Sequence, residues 1–365
     1  MILILAEDYP SENHKYALAY IHTRNLYYKQ MGIEINVLNF RAEASYQYEG
    51  INVISIGDFQ KMNSNVKIDL LVSHAPNLRN HVKFIVKNYK RIKYFIMVFH
   101  GHEVLKISKY YPKPFNFVKQ NTMKKKARSI YDSIKLPVLR LLIKNLVKRK
   151  IITLIFVSEW MKEHFSLNLN IDQKDILNSS MVIPNSVHPV FLKHKFEFDS
   201  INKIGDFIII RPLDNSKYGI DVVRNLAIKF PDLTFHIYGE GEFFNYFTKP
   251  DNIILIKKYF SQSELPEILN KYRAALMPTR LDAQGVMMCE MASFGIPIVT
   301  SDIPICTEML SSFENAFFVN NETLNIDLNV VVNYKLVNSE KNLKFADENT
   351  VYKEVELIKK VIKVD

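Results

Sequence analysis

The sequence predicts an α/β protein built from two Rossmann-like domains facing across a cleft, and three observations predict it. The chain has 365 residues, which at about 150 residues per domain argues for two domains. Short β-rich runs alternate with helical stretches along most of its length, the pattern of parallel sheets covered on both faces. The alternation breaks once, in the turn-rich stretch IPNSVHPVFLKHKFEFDS, and then resumes.

Composition narrows the class further. Apolar residues make up 48% and charged residues 24%, which excludes disorder, collagen and coiled coil. No apolar run approaches the roughly 18 residues of a membrane span, and the longest, such as Ile151–Val157, are strand-sized. The opening MILILAEDYP has no basic region before its apolar residues and reads as a buried first strand, not a signal peptide. Cys289 and Cys306 cannot form a disulfide framework, so a reducing cytoplasm is expected.

The elements follow in order. ILILA, INVLNF, INVISI and KIDLLVSH are the first strands, with the helical stretch SENHKYALAYIHTRNLYYKQMG between the first two. YFIMVFHG (94–101) and ITLIFVS, ending at Ser158, complete the first series. DFIIIRPL, LTFHIYGEG, NIILIKKYF, AALMPTR and IPIVTSD form the second. The domains are therefore expected at residues 1–193 and 200–345. The segment 346–365, with NTVYKEVELIKKVIKVD, is expected as an amphipathic helix packing back toward the N-terminal domain. Paired domains of this kind bind ligands in the cleft, at the carboxyl ends of their strands.

Charge is uneven. The net charge is +10, yet residues 81–150 hold 19 Lys and Arg against Glu103 and Asp132, a local balance of +17 that leaves −7 for the rest. Such a block suits an acidic membrane surface, nucleic acid or an anionic substrate; the alternative is a solvated face. Within it, DSIKLPVLRLLIKNLVKRK (132–150) puts Leu139, Leu142, Ile143 and Leu146 on one helical face and Arg140, Lys144 and Lys148 on another, preceded by MKKKAR (123–128). The stripe either faces an anionic bilayer or simply packs on the N-terminal sheet, and the two are compatible if it packs inward while the cations alone face lipid.

The densest chemical signal is PTRLDAQGVMMCEMASFGIPIVTSD (278–302). A strand ends at Pro278, a loop carries Asp282 and Gly285, and a helix runs from Val286 to Phe294, stopped by Gly295 and Pro297. The amides of Gly285, Val286 and Met287 would be unpaired at a helix N-terminus, a ready anion site. Glu290, one turn inside, could accept two ribose hydroxyls; the alternative is an ordinary Asp and Glu beside a β–α turn. In RPLDNSKYGID (211–221), Arg211 and Lys217 share the loop after a strand and suit a diphosphate, or are simply solvated. IYGEGE (237–242) ends the next strand with two glycines, Gly239 and Gly241, which would let the backbone approach a ligand or merely turn the chain. FHGHE (99–103) ends an N-terminal strand with His100 and Gly101.

On these residues the sequence resembles the retaining, nucleotide-sugar-dependent glycosyltransferases of family 4, the glycosyl transferases group 1 type, with the GT-B fold. The family's acid, its glycine three residues on and its glutamate eight residues on correspond to Asp282, Gly285 and Glu290, followed by GIPIV (295–299). The family's first acid is normally Glu. Its donor-diphosphate Arg and Lys match Arg211 and Lys217, and its N-terminal His-Gly matches His100-Gly101. VSEWMKEHF (157–165) and VIPNSVHPVF (182–191) look like its interdomain landmarks. The family's Gly-Gly loop after the first strand is replaced by EDYPSENHKY (7–16), without glycine.

The resemblance implies transfer of a hexose or N-acetylhexosamine from a nucleoside diphosphate, UDP ahead of GDP on family frequency, to a glycan or lipid-linked acceptor of a bacterial surface polysaccharide. Arg211, Lys217 and the amides after Gly285 would stabilise the leaving diphosphate. Asp282 would hold the sugar, Glu290 the ribose, and His100 would meet the sugar from the other domain. The loop KKYFSQSEL (257–265), with Tyr259, would meet the base. A hydrolase pair is disfavoured: eight residues set Asp282 and Glu290 about 10 Å apart with amides between them. No metal or other cofactor is expected, since the histidines lack ligand spacing. The expected location is the cytoplasm, peripheral on the inner face of the membrane. The alternatives are an epimerase or phosphorylase of the same fold, and a basic nucleic-acid-binding protein; against the latter, no helix-turn-helix, zinc or RNA-binding signature appears.

Overall fold

The computed structural model of the chain describes residues 1–12, 14, 18–62, 66–119, 121–335 and 340–362. Asn13, Lys15 and Tyr16 of the glycine-free loop lie outside the described residues. The chain forms two compact units.

Unit 1 comprises residues 1–109, 126–186 and 347–365. Its strands are β1 (Ile2–Ala6), β2 (Asn36–Asn39), β3 (Tyr46–Tyr48), β4 (Ile51–Ser55), β5 (Ile68–His74), β6 (Ile92–Phe99), β7 (Ile152–Phe156) and β8 (Ser180–Val182). They form one sheet in the order β3-β4-β2-β1-β5-β6-β7-β8, parallel except for the β3–β4 pair. The inner strands are near-continuous Ile, Leu, Val and Phe because both sheet faces are covered; every residue of β1 and β7 is buried.

The C-terminal helix Val351–Ile362 belongs to unit 1. Val351, Val355 and Ile358, spaced four and three apart, enter the core beside Ile4, Ile21 and Tyr28. Arg24 fixes that helix: its Nε lies 2.9 Å from Glu354, and both side chains are buried. The same guanidinium donates to Asn185 Oδ1 at 3.1 Å and to the Ile183 carbonyl at 3.3 Å. Three segments distant in sequence thus meet on one cation.

Unit 2 comprises residues 110–125 and 187–346. Its strands are β9 (Gly205–Ile210), β10 (Phe235–Tyr238), β11 (Ile253–Ile256), β12 (Tyr272–Met277), β13 (Ile298–Ser301) and β14 (Ala316–Val319). All are parallel, in the order β11-β10-β9-β12-β13-β14. This is the doubly wound Rossmann order, and its switch point falls between β9 and β12.

The boundaries differ from those expected. The chain leaves unit 1 after Ser186, seven residues before position 193, and residues 110–125 cluster with unit 2 instead of the N-terminal domain. The reason is aromatic: Phe117 stacks on Tyr246 with ring centroids 4.6 Å apart, and Phe115 lies 4.9 Å from Phe243. The basic segment is one helix, Thr122–Lys148, with Pro137 inside it. Leu139, Ile143 and Leu146 are buried and Leu142 is partly exposed. Of the two readings of that stripe, the structure therefore favours inward packing. Among the described residues, no helix is long and apolar enough to cross a membrane.

Candidate functional site

Ligands bind doubly wound sheets outside the carboxyl ends of the strands at the switch point. In unit 2 those ends are the loops after β9 and β12, which carry Arg211, Lys217, Asp282 and Gly285.

The β9 loop is built to present two cations. Asn215 caps the single 3-10 turn Ser216–Tyr218 by accepting from the Lys217 amide at 3.0 Å. Both cations then lie over one ring: the Arg211 guanidinium is 4.9 Å and the Lys217 ammonium 5.3 Å from the Tyr218 centroid. Arg211 Nε is buried and has no hydrogen-bond partner among the described residues. Burial pulls the Arg211 pKa down from its ordinary value, and Asp282 opposes that shift. A desolvated cation with an unpaired donor favours an anion within reach.

The β12 loop faces this pair. Lys217 Nζ is 3.7 Å from Asp282 Oδ2, with each side chain 20% exposed. Asp282 also accepts from the Ala283 amide at 2.8 Å. Gly285 begins the helix Val286–Phe294 at φ 70°, and Gly295 ends it at φ 103°. The left-handed conformation is one that side chains avoid, and a Cβ on Gly285 would lie 2.9 Å from Met288. Val286 and Met287 are partly exposed in the first turn, where a helix leaves its amides without internal partners.

Arg280 was not singled out from sequence. Its guanidinium meets Asp221 in a two-pronged pair at 2.9 and 2.6 Å and donates to the Ser216 carbonyl at 2.8 Å. Its amide donates to the Lys217 carbonyl at 2.8 Å. The β12 loop thus grips the β9 loop across the switch point. The partner Asp221 lies 59 residues away, so no local pattern signals the pair.

Two of the expected positions are confined by the chain itself. At Gly239 a Cβ would lie 2.0 Å from the Arg211 carbonyl oxygen. Its small size admits the chain's own β9 loop, which zips on through Arg211 N to Tyr238 O (3.1 Å) and Leu213 N to Glu240 O (2.9 Å). Glu290 is not open at the loop mouth but 3% exposed. Its carboxylate accepts from the His188 amide at 3.4 Å and from the Gln262 side chain, while burial pushes its pKa up to about 7. Gln262 and His188 went unassigned individually, although the loop 257–265 and the segment 182–191 containing them stood out. Tyr259 is 64% exposed.

His100 belongs to unit 1, whereas every other candidate lies in unit 2. It follows β6, where its amide and that of Gly101 donate to the buried carboxylate of Glu103. Its Nε2 is 3.2 Å from His74 Nδ1, and its ring lies 4.5 Å from that of Tyr20. Burial first, then the neighbouring His74 and Arg24, hold its pKa well below the ordinary value, so the imidazole is neutral. Among the described residues no group of three or more His, Cys, Asp or Glu could hold a metal ion.

Residues 210–350 match the family model described as glycosyl transferases group 1. No curated protein matches the chain. Solved structures do, at low identity. A sucrose-phosphate synthase from Thermosynechococcus elongatus has a TM-score of 0.64 at 11% identity, covering 91% of this chain and 88% of that one. A trehalose-6-phosphate structure from E. coli bound with UDP-2-fluoro glucose has 0.60 at 12%, covering 100% of both. WaaG, a glycosyltransferase involved in lipopolysaccharide biosynthesis, has 0.59 at 10%, covering 100% of both. The fold is GT-B, with two Rossmann-like units.

Proposed function

We propose that this chain, residues 210–350 of which match the glycosyl transferases group 1 model, carries out a retaining, metal-independent transfer of a hexose or N-acetylhexosamine from a nucleoside diphosphate, UDP ahead of GDP. The acceptor is a hydroxyl of a glycan or lipid-linked glycan of a bacterial surface polysaccharide. The observation that carries this reading is the pair of cations over Tyr218, with Arg211 Nε buried and without a hydrogen-bond partner among the described residues, and Lys217 facing Asp282 of the β12 loop.

In the transfer, the bond from the sugar's anomeric carbon to the leaving phosphate oxygen breaks. A bond to the acceptor oxygen forms on the same face, and the acceptor's proton passes to the leaving phosphate. Positive charge grows on the sugar and negative charge on the diphosphate. Arg211, Lys217 and the amides of Val286 and Met287 meet the second without reorganising. Asp282, already 3.7 Å from Lys217, exchanges part of that contact for a sugar hydroxyl. Glu290 takes the ribose hydroxyls, Tyr259 and its loop the base. His100, neutral, donates or accepts a hydrogen bond without adding charge.

The test is a panel of UDP- and GDP-sugars, each with and without saccharide and lipid-linked acceptors, run with EDTA and read by NMR at the anomeric carbon. Acceptor-dependent turnover giving the donor's anomeric configuration, undiminished by EDTA, is the expected result. Donor turnover that ignores every acceptor, inversion, or dependence on added metal overturns the corresponding part of the proposal.

A further inference from the structure

The helix Thr122–Lys148 carries two apolar stripes, and only one of them is used by the core. Leu139, Ile143 and Leu146 are fully buried. Within unit 1, Ile130, Ile134 and Leu141 are 62%, 54% and 70% exposed. This second set is spaced four and seven residues apart. At about 100° per residue these three fall within roughly 40° of one another, on the side opposite the buried stripe. Single exposed apolar residues are common, but a register of three along one helix is a surface with a direction.

The charges around it name the partner. Lys126, Lys144 and Lys148 are exposed and fall within about 60° of the same line on the helical wheel. This helix runs through the part of the chain where residues 81–150 balance to +17. A nucleic acid would be met by the cations alone and leaves large aliphatic side chains in contact with water. A second copy of the chain would bring the same positive field against itself. An acidic bilayer takes both features together: aliphatic side chains enter the headgroup and acyl boundary while lysines remain among anionic headgroups.

The geometry points to the face of Ile130, Ile134 and Leu141, flanked by Lys126, Lys144 and Lys148, as a docking surface for an anionic membrane. The stripe expected from sequence, Leu139 to Leu146, is not that surface, since the core already covers it. The inference does not depend on glycosyl transfer, and its test measures binding alone.

The test uses the full chain and sedimentation with vesicles of phosphatidylcholine, or of phosphatidylcholine and phosphatidylglycerol in equal parts, at 0.1 and 1 M NaCl. Two variants accompany it, I134E/L141E and K126E/K144E, each checked for native circular dichroism; all four positions are exposed, so folding should survive. The chain is expected to prefer the acidic vesicles at least tenfold, to be largely released at 1 M NaCl, and to lose at least tenfold in binding in either variant. Equal binding to both vesicles, binding to neither, or an I134E/L141E variant that binds like the parent overturns the proposal. So does a dimer, seen by sedimentation velocity, that I134E/L141E dissociates while vesicle binding is absent. Displacement of the chain from acidic vesicles by duplex DNA, with I134E/L141E still bound to that DNA and to the vesicles, would assign the block to nucleic acid instead.

Discussion

Arg280 and Asp221 form a two-pronged ion pair, at 2.9 and 2.6 Å, that ties the loop after β12 to the helix following the β9 loop. The Arg280 backbone and guanidinium also hold the carbonyls of Lys217 and Ser216. Arg280 is therefore a positioning residue for the cations. Replacing it by Met keeps the bulk and removes the grip. Arg280→Met should raise KM for the donor several-fold and lower kcat less, because ground-state placement of Lys217 loosens. Lys at 280 should rescue only partly, since an ammonium cannot make the two-pronged pair. A change confined to thermal stability, with KM unmoved, would make the pair merely structural.

Arg211→Ala and Lys217→Ala address the cations themselves. Arg211 Nε has no hydrogen-bond partner among the described residues to be orphaned, and Lys217 meets a partly exposed carboxylate at 3.7 Å and the Tyr218 ring. Folding should hold in both. A charge-assisted hydrogen bond contributes about 1.5–3 kcal/mol, so each variant should lose at least about tenfold in kcat/KM. Asp282→Asn should lower kcat more than it raises KM if the acid steadies the sugar as charge develops. Initial rates with a saturable donor separate these outcomes, and near-normal turnover in the Arg211/Lys217 double variant would remove the diphosphate site.

Gly239→Ala tests the backbone under that site. Its Cβ would lie 2.0 Å from a carbonyl oxygen, which is backbone and cannot rotate away. The β9 and β10 loops must part, at a cost of about 1–3 kcal/mol by analogy with overpacking, and Arg211 moves with its loop. Both a lower Tm and a lower kcat/KM are expected. Gly57→Ala is the control: it meets nothing nearer than the Ser55 hydroxyl oxygen at 3.8 Å, inside the helix Ile56–Lys61. It should leave Tm unchanged or raise it.

Local punctuation made much of this fold legible. Gly285 and Gly295 bracket the helix Val286–Phe294 because both adopt the left-handed conformation, and continuous Ile, Leu and Val runs mark the parallel strands. The strands that escaped notice, β3, β8 and β14, all lie at sheet edges and bury one residue between them; a half-exposed edge lacks the apolar run that marks an inner strand. Long-range pairings were invisible for a different reason. Neither Arg280–Asp221 nor the packing of Phe117 on Tyr246 leaves a trace in local spacing. The basic helix shows the limit most clearly: periodicity reveals that apolar residues share a face, but a helix with two such faces does not say which one the core takes.

Glu290→Gln tests the buried carboxyl through pH. Burial raises its pKa to about 7, opposed by the His188 amide and Gln262, whereas an unfolded glutamate titrates near 4.3. Between those values the folded chain keeps a proton that the unfolded chain has released. Stability from this group is therefore full below about pH 4.3 and is lost as pH rises through about 7, a swing on the order of 3 kcal/mol. Gln has nearly the same shape and no titration. The melting temperatures of the two proteins should be closest near pH 5 and diverge by pH 8, with the parent chain lower. His74, His81 and His100 also have depressed pKa values, but they act alike in both proteins and cancel in the difference. Donor binding should show the complementary trend. An ionised Glu290 accepts ribose hydroxyls better than a protonated one, so donor affinity should rise through pH 7 in the parent and stay flatter in Glu290→Gln. Parallel melting curves across this range would mean that Glu290 is already ionised when folded. Parallel affinity curves with divergent melting would keep the buried proton and take Glu290 away from the ribose.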